Sequence, residues 1–253
     1  MILVLSPSKT LNEDPSKIKQ HTDLAFAKES LSLVNKLKKL NQNDLEKLMH
    51  ISSNLAQINT QRYKTFKKTF SADTALPAIH MFKGDVYTGL DAKTFDSKDL
   101  KFAQNSIRIL SGLYGVIRPL DLIQPYRLEM GTPFSNGHGK NLYEFWGDKV
   151  TLQINKELKE SKSSHLLNLA SVEYFKVINK SLLERPIIDI DFKEERGGKL
   201  KVISFTAKKA RGDMARQIVK HRIKQPKDLK DLEVLGYIYD KKQSTDDKYL
   251  FVK

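Results

Sequence analysis

The sequence predicts an α+β fold built on a mixed sheet. Three observations carry this. Helical periodicity dominates the first half of the chain. Two-residue alternation dominates the second half. No regular strand–helix–strand series links the two. The chain has 253 residues, 40% of them hydrophobic, enough for one large domain with a sizeable core. No repeat, linker or low-complexity segment divides it, so residues 1–253 are read as a single domain.

Ile2, Leu3, Val4 and Leu5 form a short apolar run stopped by Ser6 and Pro7, which reads as a buried strand. Residues 24–40 place Leu24, Ala27, Leu31, Val34 and Leu37 on one face with lysines between them, an amphipathic helix. Residues 44–51 and 55–66 continue the helical pattern, with Asn43 or Asp44 as the expected cap. Residues 97–110 read as a further helix, with Ala103, Ile107 and Leu110 as its stripe. Gly112, Gly115, Pro119 and Pro125 then break the pattern. The glycine-rich residues 132–140 suggest a mobile surface loop, and residues 141–158 a helix holding the single tryptophan, Trp146. Residues 166–169 are a short apolar strand. Residues 187–192 and 199–205 alternate around Gly197 and Gly198, a hairpin signal. Residues 237–240 and 249–252 suggest a second hairpin.

Composition excludes several classes of function. Cysteine is absent, which removes disulfides, thiolate nucleophiles and Cys-ligated metals. The six histidines (His21, His50, His80, His138, His165 and His221) form no paired metal motif. The opening apolar run is too short for a signal peptide core, and no run reaches the length of a membrane span. A cytoplasmic, monomeric protein without cofactor or membrane contact is expected. The chain carries 44 Lys and Arg against 30 Asp and Glu, a net charge of +14. That excess favours polyanionic partners and also keeps a protein soluble.

Two segments concentrate the basic and glycine signals. Gly112 and Gly115 flank Leu113 and Tyr114 after a helical stretch, and Pro119 is suited to open another helix. This is a helix–hairpin–helix candidate, whose glycines would let backbone N–H groups approach a phosphate. The two intervening residues, rather than one, depart from the usual spacing of such turns. Between Phe205 and Lys224 stand seven cations, including Lys208, Lys209, Arg211 and Arg216, against one anion, Asp213. Arg216, Lys220 and Lys224 follow at helical spacing, a stripe that tracks phosphates or forms a solvated helix face. Residues 62–68 interleave Arg62, Lys64, Lys67 and Lys68 with Tyr63 and Phe66, a pattern that grips a nucleic-acid backbone or turns its aromatics inward. Lys9 follows the first strand, where binding loops commonly lie. It is either an anion partner or, if desolvated, a Schiff-base nucleophile. Asp85, Asp121, Glu129 and Glu173 are candidate acids, bases or ion-pair partners.

These motifs occur in an order that resembles the YaaA family of peroxide stress resistance proteins. The resemblance rests on Ser6-Pro7-Ser8-Lys9-Thr10, on residues 82–90 and 110–131, on Leu142-Tyr143-Glu144-Phe145-Trp146-Gly147-Asp148, and on residues 168–175 and 205–212. Ser8 stands where that family usually has alanine. The resemblance implies a single mixed α/β domain with a basic cleft and a helix–hairpin–helix-like element. It also implies a cytoplasmic bacterial protein induced by hydrogen peroxide and associated with DNA binding, whose relatives limit oxidative damage and keep unincorporated iron low. It attaches no reaction to the chain.

The leading expectation is non-sequence-specific binding of the DNA phosphate backbone by Gly112, Tyr114, Gly115, Arg118, Arg127, Lys208, Lys209, Arg211 and Arg216. The competing expectation is an enzyme acting on damaged DNA or a small anionic substrate, with Lys9, Asp85 and Glu173 catalytic.

Overall fold

The computed structural model describes residues 1–12, 14, 20–71, 74–137 and 139–253. The histidine His138 therefore lies outside the described residues. Strand β1 (Ile2–Leu5) precedes helices α1 (Ala27–Leu37), α2 (Gln42–Met49) and α3 (Ser53–Thr65). The short β2 (Leu76–Pro77), α4 (Ala78–Met81) and α5 (Asp85–Leu90) lead to α6 (Ser97–Ser106), β3 (Ile107–Ser111), β4 (Gly115–Ile117) and β5 (Leu122–Ile123). Then follow α7 (Leu142–Trp146), α8 (Lys149–Glu160), β6 (Leu166–Asn168), α9 (Val172–Phe175), β7 (Ile187–Arg196) and β8 (Lys199–Lys201). Helix α10 (Ser204–Lys220), β9 (Ile238–Tyr239) and β10 (Lys248–Val252) complete the order.

The main sheet is mixed, as expected, with the order β4-β3-β1-β6-β7-β10-β9 and β8 paired to β7. Strands β3, β1, β6, β7 and β10 run parallel to their neighbours, while β4 and β9 are antiparallel edges. Strand β1 lies in the centre, and all four of its side chains are fully buried. A strand covered on both faces needs no polar alternation, which is why it reads as a continuous apolar run.

Local chemistry explains most elements and corrects several expectations. Helix α1 buries Leu33, Val34 and Leu37, within the predicted stretch. The cap of α2 is Asn41, not Asn43 or Asp44. Its side chain accepts from the Asp44 N–H while Asp44 accepts from the Asn41 N–H, a capping box. In α3 the aromatics turn inward: Tyr63 is fully buried and donates its hydroxyl to the Arg127 carbonyl, and Phe66 is buried. The predicted helix 141–158 is two helices, because Gly147 takes φ +47° between them. The stretch 199–205 yields only the short β8 before α10 begins at Ser204. In the loop 132–140, Thr132, Phe134 and Asn136 are buried, which anchors it to the body.

The predicted helix 97–110 ends at Ser106, and Ile107 opens strand β3. The helix–hairpin–helix expectation is therefore corrected. Gly112, Leu113 and Tyr114 form the turn of a β-hairpin between β3 and β4, with Ser111 opposite Gly115. Leu113 and Tyr114 are fully buried. The glycines answer to packing, not to phosphate. A Cβ on Gly115 would lie 2.8 Å from the Trp146 ring, and one on Gly112 would collide with the Leu128 carbonyl. Trp146 donates its indole N–H to the Gly112 carbonyl at 3.0 Å. No helix starts at Pro119; the chain turns there, and the Arg118 N–H donates to Asp121 at 2.8 Å.

Helices α5 and α10 cross at backbone contact. A Cβ on Gly212 would collide with the Val86 carbonyl, and one on Gly89 with the Lys209 carbonyl. Below the crossing, the cations of α10 are consumed within the molecule. Arg216 donates to Thr94 and lies 3.6 Å from Asp91. Lys220 and Arg222 both pair with the buried Asp99. Burial alone would raise the Asp99 carboxyl. The hydrogen bonds from Lys220, Arg222 and the Asp96 N–H outweigh it and hold the group at about 2.

Two outcomes follow for stability. Gly212→Ala should lose about 1–3 kcal/mol by overpacking, read as a lower urea midpoint at unchanged slope. Asp99 is an acid with a depressed folded-state pKa, so its contribution is present above about pH 4 and is lost as pH falls towards 2. Asp99→Asn should therefore lower Tm at pH 7, and the deficit should shrink in melts taken between pH 4 and 2.

Candidate functional site

In an open parallel sheet, ligands gather beyond the carboxyl ends of the strands where the connections diverge. Here the chain leaves β1 towards β3 on one side and later returns to build β6 on the other. The crevice between the ends of β1 and β6 is thus the topological switch point. Ser6 ends β1, and its hydroxyl accepts the Ser171 N–H at 2.9 Å from the loop after β6. The Tyr87 hydroxyl donates to the Ser6 carbonyl at 3.0 Å. Gly84, at φ +102°, abuts the Ser8 hydroxyl, which a Cβ there would approach to 2.8 Å. Asp85 follows at the first turn of α5.

A charged cluster crowns this crevice. Glu129 joins two cations, with one oxygen 2.6 Å from the Lys9 ammonium and the other 2.9 Å from the Arg127 guanidinium. Glu173 accepts the Gly131 N–H at 2.9 Å, and its carboxylate occupies the space where a Gly131 side chain would stand. The buried Tyr174 lies beside both acids. Burial first, then Tyr126 and the charges of Glu173 and Glu129, push its hydroxyl well above the ordinary tyrosine range. The buried Nε of Arg127 has no hydrogen-bond partner among the described residues.

Beneath lies a layer of buried tyrosines. Tyr126 and Ser111 share a 2.6 Å hydrogen bond between hydroxyls. Tyr114 exchanges two 3.0 Å hydrogen bonds with the Gln124 backbone. The Tyr114 and Tyr126 rings pack edge to face at 5.0 Å. Burial raises the hydroxyls of Tyr87, Tyr114 and Tyr126, so all three are neutral hydrogen-bonding groups at physiological pH.

The predicted site residues therefore divide. Lys9, Arg127 and Glu173 come together, with Asp85 on the adjoining loop-to-helix junction. Glu129, a candidate acid, base or ion-pair partner in the sequence, is the hub of the cluster as an ion-pair partner of Lys9 and Arg127. Tyr114, Gly112 and Gly115 are structural. Arg118 lies level with Arg108 at the other end of the sheet, paired with Asp121 at 3.0 Å and donating to the Asp23 carbonyl. Asp121, a candidate carboxylate in the sequence like Asp85, Glu129 and Glu173, lies apart from them at that same far end. Among the described residues no three His, Cys, Asp or Glu side chains converge as a metal site.

Helix α10 separates its predicted residues. Arg216 is tied to Asp91 and Thr94. Lys208, Lys209 and Arg211, in the half nearer the carboxyl end of β7, make no ion pair among the described residues; Arg211 is half-buried, and burial lowers its guanidinium below the usual range. The β7–β8 hairpin adds exposed Lys199 and Lys201 at this end of the sheet. Glu194 fastens the hairpin to α10 by accepting from Thr206 at 2.6 Å, Arg196 at 2.6 Å and Tyr237 at 2.8 Å. Those bonds hold its carboxyl at about 2.

Among the described residues no helix is long and apolar enough to cross a membrane. The family model described as "Peroxide stress protein YaaA" matches residues 1–243. A protein named UPF0246 from Polynucleobacter necessarius is 50% identical over 99% of this chain and 98% of its own length. UPF0246 proteins from Cupriavidus metallidurans and Paraburkholderia phytofirmans are 50% and 48% identical, each over 99% of this chain and 98% of their own length. Full-length similarity of this order, on a chain whose motifs meet at one crevice, places the protein in the YaaA family of peroxide stress proteins.

Proposed function

We propose that this peroxide stress protein binds DNA through its phosphate backbone, without reading bases, at the carboxyl end of the sheet. The observation that carries the reading is the division of α10. Its far half spends Arg216 and Lys220 on Asp91 and Asp99, whereas among the described residues the exposed Lys208 and the half-buried Lys209 have no ion-pair partner. An unpaired exposed cation can replace a counterion on a polyanion; one already neutralised by a buried carboxylate cannot do so without losing that bond. Lys199 and Lys201 stand on the hairpin that Glu194 locks to α10, and the exposed Lys83 precedes α5. Together they offer cations on a stiff support, which fits a backbone grip. The expected hairpin turn at Gly112 and the guanidinium of Arg118 take no part in this surface.

A second reading, an enzyme acting on a damaged nucleotide or small anionic substrate, is favoured by the Lys9–Glu129–Arg127 cluster and Glu173 at the switch point. Lys9 enters that crevice as an ion-pair partner whose side chain is 59% exposed, not as the desolvated amine that Schiff-base chemistry uses. Its role there is electrostatic positioning, with Glu173 as the carboxylate available to exchange a proton.

Binding of the full chain to a DNA duplex, followed by fluorescence anisotropy across a salt series, tests the first reading. Five neutralised phosphates, one for each of Lys83, Lys199, Lys201, Lys208 and Lys209, give a log–log slope of about −4.5. Lys208→Ala/Lys209→Ala should weaken binding and make the slope shallower by about 1.8, while Arg216→Ala should lower Tm and leave the slope unchanged. Affinity independent of salt overturns the backbone grip. For the second reading, borohydride trapping with damaged DNA should yield no adduct, and a covalent adduct lost in Lys9→Ala would overturn the positioning role of Lys9.

A further inference from the structure

A polar cavity of about 530 Å³ opens at the amino end of β3, far from the Lys9 crevice. It lies between the end of α6, the end of β4 and the last turns of α8, and its walls include Asn105, Arg108, Arg118, Lys156 and Glu157. We propose that this cavity binds a small ligand through an oxyanion group, a phosphate or a carboxylate.

Arg108 is the first reason. It stands between Ile107 and Ile109 on a strand of the buried sheet and is only 5% exposed. Its Nε donates to Glu157, and its Nη1 donates to the Gln104 and Ile107 carbonyls. Nη2 makes no hydrogen bond to the described residues, so one edge of a buried guanidinium is left for something else. A buried ion pair of this kind adds little stability over an apolar pair of the same volume. Stability alone does not account for a charge in this strand.

Arg118 is the second reason. Asp121 and the Asp23 carbonyl hold its Nε and Nη2, which fixes the plane of the guanidinium and leaves Nη1 without a hydrogen bond among the described residues. Arg108 on β3 and Arg118, the residue that follows β4, thus line one cavity, each with a nitrogen that no described residue engages. Each cation has a carboxylate beside it, Glu157 at Arg108, the buried Asp121 at Arg118 and Glu160 at Lys156, so an oxyanion would take the open N–H donors and leave those ion pairs intact. Glu157 has both oxygens occupied, one by Arg108 and one by the Gln153 amide at 2.8 Å. Glu160 is 64% exposed at the rim and lies 4.0 Å from Lys156. The exposed Asn105 side chain also makes no hydrogen bond among the described residues. What remains open inside is donor-rich, and paired guanidinium edges match the flat, divergent lone pairs of an oxyanion.

Isothermal titration of the full chain with inorganic phosphate, pyrophosphate and citrate tests the proposal. One saturable site is expected, weakened at least tenfold in Arg118→Gln and in Lys156→Gln, and unchanged in Lys208→Ala/Lys209→Ala. Saturation by phosphate or pyrophosphate assigns a phosphate ligand; saturation by citrate alone assigns a carboxylate ligand. Absence of saturable heat with all three probes overturns the proposal. So does binding that survives both cavity substitutions, or that falls equally in the α10 double variant. Lys156→Gln removes no buried partner, so a destabilised Arg118 variant does not leave the result open.

Discussion

The double-sided pairing of β1 governs everything else in this molecule. Its four apolar side chains are wholly withdrawn from water, each contributing roughly 1.5–3 kcal/mol. Its two neighbours, β3 and β6, are drawn from distant parts of the chain. A strand so placed cannot slip, because a shift of one residue would turn every side chain to the opposite face. The positions of Ser6 to Lys9, and of the loop after β6 that meets them, follow from that register. So does the level at which Arg108 and Arg118 stand.

Much of the architecture was legible because the periodicities are strong. Helices α1 to α3, the β7–β8 turn and the β9–β10 hairpin announce themselves through amphipathic stripes and paired glycines. Strand β3 did not. Ala103, Ile107 and Leu110 satisfy a helical stripe, while a strand buried on both faces shows no alternation to compete with it. The charged Arg108 inside an apolar run was the available sign that this stretch is unusual. The Gly112–Gly115 turn was misread for a related reason. Glycine announces a close approach but not its partner, and here the partners are Trp146 and the Leu128 carbonyl. The convergence of Lys9, Arg127, Glu129 and Glu173 is wholly long-range and has no local signature.

The large positive charge is not spread evenly. Carboxylates act as anchors that each take more than one cation: the buried Asp99 takes Lys220 and Arg222, and the half-buried Glu129 takes Lys9 and Arg127. A residue count overstates how much of the basic character faces a partner. What decides availability is the internal pairing, which changes sign of purpose within a single helix, from tethered cations at one end of α10 to solvent-facing ones at the other.

The touching backbones of α5 and α10 bear on this last point. Where Gly89 and Gly212 let two helices meet without side chains between them, neither can tilt or slide against the other. Lysines carried on α10 and just ahead of α5 keep a set separation whether anything is docked or not. If the proposed backbone grip holds, such a surface would act as a ruler: a polymer with repeating charges at a compatible interval would settle without rearranging the protein, and a mismatched one would have to bend itself to fit.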